Sequence, residues 1–241
     1  MPHSPETPAF NAPRVVMVLL GLLLAIHIIR IMLPAQWDLY ILLTFSFIPA
    51  RYGGEADILL PGGAAAGVWS VVTYALLHGN FVHLIVNGVW MLAFASPLAA
   101  RLDLANFLGF TLVCSVAGVV AHLAFHWGEA IPVVGASAAI SGYMAAAMRF
   151  VFQSEGPLGA IGGNADNVGR MHALPIRETL RDRRVLAFLA VWIGINILMG
   201  LGALQLDDEL SNIAWEAHIA GLLAGLFLFD LFDRPQSVAG S

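Results

Sequence analysis

The sequence predicts an all-α membrane protein with six transmembrane helices. Hydrophobic residues make up 59 % of the 241-residue chain and charged residues 11 %, whereas soluble domains contain about 45–50 % and 25 %. The mean hydropathy is +0.81, which excludes an ordinary soluble domain. A bilayer-spanning helix needs about 20 apolar residues. Six segments meet this requirement: residues 14–33, 73–95, 104–127, 135–152, 185–204 and 214–232.

Polar stretches divide the rest of the chain. We expect a tail, a membrane domain and a second tail, at residues 1–13, 14–232 and 233–241. The first loop, 34–72, contains an apolar run, Leu39–Ala50, which is too short to cross a bilayer and is expected at the membrane interface. The second loop, 153–184, is rich in glycine and then in charge, which is typical of an aqueous loop.

The arginines predict the orientation. If the N-terminus is cytoplasmic, nine of the 11 arginines fall on the cytoplasmic side, and only Arg30 and Arg51 fall on the other. This distribution satisfies the positive-inside rule, so we expect both termini in the cytoplasm. Lysine is absent and the arginines form no basic stripe, so no nucleic-acid partner is expected.

Polar side chains gather at the outer ends of the second, fourth and sixth spans, which run in the same direction. They are His78, Asn80, His83 and Asn87 in the second span, Ser137 and Ser141 in the fourth, and Glu216 and His218 in the sixth. If these helices are neighbours, their polar side chains converge at one depth. A hydroxyl in hydrocarbon is costly without a partner, so Ser137 is expected to have one.

Ser137 and His218 have the chemistry of nucleophilic acyl transfer. Serine needs an adjacent base, and histidine is the usual one. Gly221 and Gly225 follow His218 at i+3 and i+7, so they form a smooth groove for a close helix crossing. Glu216 points to another side of its helix, so the sequence predicts a Ser–His dyad.

Donors for an oxyanion are also present. His83 and Asn87 are four residues apart and share one helix face. Both can donate an N–H, and the backbone N–H of Ser137 can add a third donor because the first turn of a helix leaves its amides unpaired.

These motifs resemble those of the rhomboid intramembrane serine proteases, which cleave transmembrane or membrane-adjacent segments of other proteins. That family has a six-helix core with G-x-S in helix four, A-H-x-x-G-x-x-x-G in helix six and H-x-x-x-x-H-x-x-x-N in helix two. The resemblance runs from about Trp69 to the end of the sixth span. The matching residues are Gly135-Ala136-Ser137, Ala217-His218 with Gly221 and Gly225, and His78, His83 and Asn87.

The resemblance implies a role for each of these side chains. Ser137 is the expected nucleophile, His218 the general base and then acid, His83 and Asn87 the oxyanion donors, and His78 a brace for the first loop. It implies no metal or cofactor. The expected partners are transmembrane protein substrates and the lipid bilayer, and the expected location is a bacterial inner membrane with the site opening to the extracytoplasmic side.

Several positions depart from the family pattern, although none removes a catalytic group. Where the family has an aromatic residue against the catalytic histidine, this chain has Ser141, which we expect to bond the His218 ring. The other departures are Ala138 for glycine, Ser70 for the arginine after Trp69, and Ala99 for a glutamate, although Arg101 is present nearby.

Two other functions remain open from the sequence. One is a proteolytically inactive relative that binds and retains membrane proteins, although binding alone requires neither Ser137 nor His218. The other is a metal-dependent membrane hydrolase that uses His78, His83 and His218, although the carboxylates that such sites usually add are missing.

Three further histidines have no matching context. His122 and His126 share a helix face at i and i+4 and form half of a possible metal site, but no carboxylate pattern accompanies them. They are interpreted as packing or interface residues, as is His27.

Overall fold

The computed structural model describes residues 12–53, 60–153, 156, 171–200 and 214–233. Within these ranges the chain is helical, apart from connecting turns and one isolated antiparallel bridge between Phe47 and Val133. The α-helices are α1 (Arg14–Ile31), α2 (Ala35–Phe45), α3 (Gly63–Thr73), α4 (Phe81–Arg101), α5 (Leu104–Phe125), α6 (Ser137–Ala147), α7 (Ile176–Thr179), α8 (Arg183–Gly200) and α9 (Trp215–Leu228).

Four helices, α1, α4, α5 and α8, are long and apolar enough to cross a membrane. They coincide with the first, second, third and fifth predicted spans. The fourth and sixth spans coincide with α6 and α9, which have 11 and 14 residues. Both are shorter than the length of about 20 residues that a perpendicular crossing needs. Hydrogen-bonded turns continue α6 as far as residue 153 and α9 as far as residue 233.

The second span begins later than the sequence predicted, at Phe81 rather than at residue 73. Helix α3 ends at Thr73, a 3-10 turn covers Tyr74–Leu76, and the chain is then extended as far as Asn80. The side chain of Asn80 caps α4 by accepting a hydrogen bond from the backbone N–H of His83, at 2.8 Å. Asparagine is among the preferred N-cap residues, so the helix starts where this cap is available.

The first loop, 34–72, contains α2, α3 and a 3-10 turn at Pro49–Tyr52. The guanidinium of the buried Arg51 donates to the carbonyl oxygens of Leu43, Pro61 and Gly63, at 2.6, 2.8 and 3.1 Å. One side chain therefore holds the two halves of the loop together. The position of this loop at the membrane interface stays a prediction.

The second loop and the tails are described only in part. Residues 1–11, 54–59, 154–155, 157–170, 201–213 and 234–241 lie outside the described residues. The described end of the second loop contains α7, and Asp182 precedes α8. The carboxylate of Asp182 accepts from the backbone N–H of Arg184 at 2.8 Å, and its hydrogen bonds with the Arg184 guanidinium lower the pKa of Asp182 to about 2.

Helix α6 is the centre of the molecule. Its residues from Ala138 to Ala147 are all buried, and it packs against α4, α5 and α9. Its closest approach is to α9: a methyl group added at Gly221 would lie 2.1 Å from the carbonyl oxygen of Ala138, and one added at Gly225 would lie 2.2 Å from that of Gly142. The predicted crossing of the fourth and sixth spans at small residues is therefore present.

Two buried arginines form ion pairs that hold the C-terminal ends of α4, α6 and α9 together. Arg101, at the end of α4, forms an ion pair with Asp233 at 2.6 Å, and Arg149, just after α6, pairs with Asp230 at 2.7 Å. The carboxylate partner of Arg101 therefore comes from the far end of the chain, 132 residues away, rather than from a glutamate near the end of α4. Both pairs hold the C-terminal end of α9 against α4 and α6.

The close crossing predicts that Gly225→Ala lowers the stability of the folded protein. Overpacking of a filled contact costs about 1–3 kcal/mol, which corresponds to a fall of about 5 °C in the unfolding midpoint. The matched control is Gly194→Ala on α8, where a methyl group meets no atom within 4 Å and alanine favours the helix. Thermal unfolding in detergent should separate the two variants, and equal midpoints would contradict the crossing.

Candidate active site

Ser137 and His218 lie in direct contact. Ser137 is the first residue of α6 and His218 lies in the first turn of α9. The Ser137 Oγ and the His218 Nε2 are 2.7 Å apart, which is a normal hydrogen-bond length. The two residues are separated by 81 positions in the chain, so the helix crossing creates this contact.

Asn196 on α8 extends the contact to a chain of three side chains. Its Oδ1 lies 2.6 Å from the His218 Nδ1, and its Nδ2 donates to the carbonyl oxygen of Trp192 at 2.8 Å. The amide oxygen can only accept, so the neutral His218 ring carries its hydrogen on Nδ1. The lone pair of Nε2 then faces the hydroxyl of Ser137.

The sequence pattern indicates only the Ser–His dyad and does not reveal the role of Asn196. A signal was present, because Asn196 is an amide within the apolar segment 185–204, and polar residues in such segments are expensive. The contact partner of an isolated asparagine is not readable from local spacing, since His218 lies 22 residues further along the chain.

The ring of His218 is supported differently from what was predicted. The Oγ of Ser141 donates to the carbonyl oxygen of Ser137 at 2.8 Å, which is the common bond of a helical serine to the residue four positions earlier. The predicted bond from Ser141 to His218 is therefore wrong. Besides Asn196, the Trp192 ring lies near His218, with centroids 6.5 Å apart and a 30° tilt.

His83 and Asn87 on α4 face the turn that precedes Ser137. Gly135 has φ +116°, and a methyl group added there would lie 2.7 Å from the His83 Nε2 and 3.7 Å from the Asn87 Nδ2. Glycine is needed at this position both for its backbone conformation and for the close approach. Asn87 Nδ2 also donates to the carbonyl oxygen of His83 at 3.1 Å, and an amide group has a second hydrogen to donate.

The first turn of α6 has no side-chain cap, because its N-cap residue is Ala136. The N–H groups of a first helical turn have no partner within the helix and carry partial positive charge. The backbone around Ser137 therefore adds donors to the side of the site that His83 and Asn87 face.

His78 connects this region to the first loop. It is fully buried, and its ring lies 5.0 Å from that of His83, centroid to centroid. Its carbonyl oxygen accepts from Arg30 at 2.8 Å, and Arg30 in turn pairs with Asp38 of α2 at 2.8 Å. The backbone of His78 is thus connected to the first loop only indirectly, through Arg30.

Metal-binding geometry in the described part of the chain is confined to one group, His122, His126 and Glu216. A metal-dependent hydrolase was suggested to use His78, His83 and His218 as ligands. These three side chains do not form a metal-binding cluster in the described part of the chain. The carboxylate of Glu216 contacts His122 Nδ1 at 2.5 Å and so points away from His218, as predicted. His122 was interpreted as a packing residue, and its carboxylate partner was missed.

Comparison with known proteins assigns the chain to a family. The model of the Rhomboid domain matches residues 65–234, which is well over half of the chain and contains Ser137, Asn196 and His218. A search of curated proteins finds no match. The chain therefore belongs to the rhomboid family of membrane proteins.

Proposed function

We propose that this rhomboid protein is an intramembrane serine endopeptidase, which hydrolyses peptide bonds in or near transmembrane segments of other membrane proteins. The observation that carries the proposal is the 2.7 Å contact between the Ser137 Oγ and the His218 Nε2. A serine hydroxyl is a weak nucleophile unless a neighbouring base accepts its proton. The tautomer set by Asn196 leaves that base free at Nε2.

The proposed reaction has two steps. The Ser137 Oγ attacks the carbonyl carbon of the substrate while its proton passes to the His218 Nε2, and the peptide C–N bond then breaks as His218 returns the proton to the amine. Water, deprotonated by His218, then attacks the acyl-enzyme, the bond between the carbonyl carbon and the Ser137 Oγ breaks, and His218 returns the proton to the serine. Asn196 positions the ring throughout, since its Oδ1 accepts the Nδ1 hydrogen at 2.6 Å.

The oxyanion of each tetrahedral intermediate is proposed to lie on the side of Gly135. The His83 Nε2 and the Asn87 Nδ2 face that residue, and the uncapped first turn of α6 supplies backbone N–H groups. Donors fixed before the reaction stabilise the developing charge without reorganisation.

The proposed topology has six spans, with α6 and α9 as the short fourth and sixth and with both termini in the cytoplasm. The ends of α4 support this orientation, since His83 lies at one end and Arg101 at the other. Arg149 likewise follows the end of α6 opposite to Ser137. Helix α6 is about 16 Å long at 1.5 Å per residue, against about 30 Å of hydrocarbon. Ser137 is therefore proposed to lie below the extracytoplasmic surface, and substrate helices must unwind there to expose their carbonyl groups.

Labelling with a small fluorophosphonate should report the activated serine directly. We expect wild-type protein to be labelled, Ser137→Ala to remain unlabelled, and His218→Ala to react at least about 100-fold more slowly because the base is missing. The matched control is Ser141→Ala, one turn further along α6, which should retain labelling. Labelling of Ser137→Ala at the wild-type rate would contradict the nucleophile assignment, and a folded wild-type protein without labelling would favour the inactive relative.

Asn196→Ala should lower kcat/KM on a single-span substrate about tenfold, because a hydrogen bond of about 1.4 kcal/mol is lost. In ¹⁵N-histidine NMR, the His218 signal should show a hydrogen on Nδ1 in the wild type and a mixture of tautomers in the variant. Asn106→Ala, which removes a more exposed amide on α5, is the control. A wild-type ring protonated on Nε2 instead would contradict the positioning role.

Asn87→Ala should reduce kcat by about one to three decades, the usual cost of one oxyanion donor. The thermal unfolding midpoint should stay within a few degrees of the wild-type value, which separates lost catalysis from lost folding. An unchanged kcat would remove Asn87 from the oxyanion site.

A further inference from the structure

A second cluster of ionisable side chains lies near the same end of α9, outside the proposed catalytic chain. His122 belongs to the last turn of α5, His126 follows that helix directly, and Glu216 lies in the first turn of α9. The nitrogen and oxygen atoms that these three residues can offer lie within 4.8 Å of one another. Two helices that are distant in the sequence thus meet at three metal-ligand side chains.

In each histidine ring, the nitrogen farther from Glu216 has a hydrogen-bond acceptor. The His122 Nε2 lies 3.4 Å from the carbonyl oxygen of Ile131, and the His126 Nδ1 lies 2.9 Å from a carboxylate oxygen of Glu129. Carbonyl and carboxylate oxygens only accept, so each ring can donate a hydrogen from this nitrogen. In that tautomer of the neutral rings, the lone pairs belong to His122 Nδ1 and His126 Nε2. Without a metal ion, a neutral His122 ring can instead donate from Nδ1 to Glu216.

The other nitrogen of each ring, His122 Nδ1 or His126 Nε2, faces the same carboxylate oxygen of Glu216. The Glu216 Oε1 lies 2.5 Å from the His122 Nδ1 and 3.7 Å from the His126 Nε2. With both rings in this tautomer, three electron-pair donors converge on one point, which is the arrangement that ligands of a metal ion take.

We propose that His122, His126 and Glu216 bind one Zn²⁺ ion. Two histidines and one carboxylate are a common zinc ligand set, with water as the fourth ligand. The surroundings have the pattern found around zinc, because ligating histidines usually donate their other N–H to a carbonyl or a carboxylate, as His122 does to Ile131 and His126 to Glu129.

The site can accept the ion after side-chain movements of about 1–1.5 Å, since its ligand atoms lie within 4.8 Å of one another. Ligands at about 2.0–2.1 Å in a tetrahedron are about 3.3 Å apart, so the carboxylate of Glu216 has to withdraw from His122 by about 0.8 Å. The side chain of His126 is 28 % exposed, whereas those of His122 and Glu216 are 2 % and 3 % exposed. Zinc therefore enters along His126 and is enclosed by the other two ligands.

Bound zinc fastens the end of α5 to the start of α9, two residues before His218. Its proposed role is to stabilise this contact and not to activate a substrate. The site is independent of the peptidase proposal, since none of its ligands contacts Ser137 among the described residues.

Zinc titration of the full-length, tag-free protein in detergent tests the proposal, after removal of metal with a chelator. We expect one Zn²⁺ per chain by competition with a chromogenic chelator, and a visible spectrum of tetrahedral Co²⁺ when cobalt replaces zinc. A 100-fold excess of zinc over its Kd should raise the unfolding midpoint by about 5–10 °C. Ser137→Ala should bind equally well, so that failure here and failure of the peptidase proposal are distinguishable.

Two variants and a control localise the ion. His126→Ala removes the most exposed ligand and should abolish stoichiometric binding, and Glu129→Ala should weaken it about 10–100-fold through the orientation of His126. His172→Ala removes an exposed histidine outside the cluster and should change nothing. A wild type that binds no zinc, or binds it as His126→Ala does, would overturn the proposal and leave the contact of His122 with Glu216 as a hydrogen bond.

Discussion

The close contact between the backbones of α6 and α9 determines how the other helices and the candidate site are arranged. Helices in a bilayer gain no hydrophobic driving force from meeting each other, so they associate through close packing. Gly221 and Gly225 allow this approach, because any side chain there would overlap the carbonyl groups of Ala138 and Gly142. The contact between Ser137 and His218 lies at one end of the crossing, and the pair of Arg149 with Asp230 lies near the other.

The hydrogen-bonded chain around His218 contains no carboxylate. Its third member is an amide, which orients the ring without burying another charge, and an unpaired buried charge would be costly. The nearest carboxylate on the same helix, that of Glu216, is directed to His122. Asn196 thus sets the tautomer through geometry, and its own orientation is fixed one turn earlier in α8 by the carbonyl group of Trp192.

Motifs with short spacing were predictable, and partners from different helices were not. The order of Ser137, His218 and the two glycines indicated both the chemistry and the helix crossing, because residues three and four apart share a helix face. The start of α4 was misplaced because the apolar run continues upstream of the cap at Asn80. The pairs of Asn196 with His218 and of Glu216 with His122 join residues 22 and 94 positions apart, and periodicity contains no information on such distances.

The hydrogen-bond partner of Ser141 also could not be predicted from its place in the motif. Its hydroxyl had two possible acceptors, a ring on another helix and a carbonyl group on its own. The intrahelical carbonyl of Ser137 is always within reach of a serine four residues later, so the local bond forms. A departure from a family motif therefore need not be replaced by a new contact at the same atom.

The ion pairs of α9 have a consequence for biosynthesis. Asp230 and Asp233 follow all the other described helices in the chain, so Arg101 and Arg149 are made long before their carboxylates. Until α9 enters the bundle, the charges of both guanidinium groups lack these carboxylates, and water, lipid phosphate or the carbonyl oxygens of Met171 and Leu174 have to balance them. His218 arrives with that same helix, so Ser137 gains its hydrogen-bond partner only after α9 has been made.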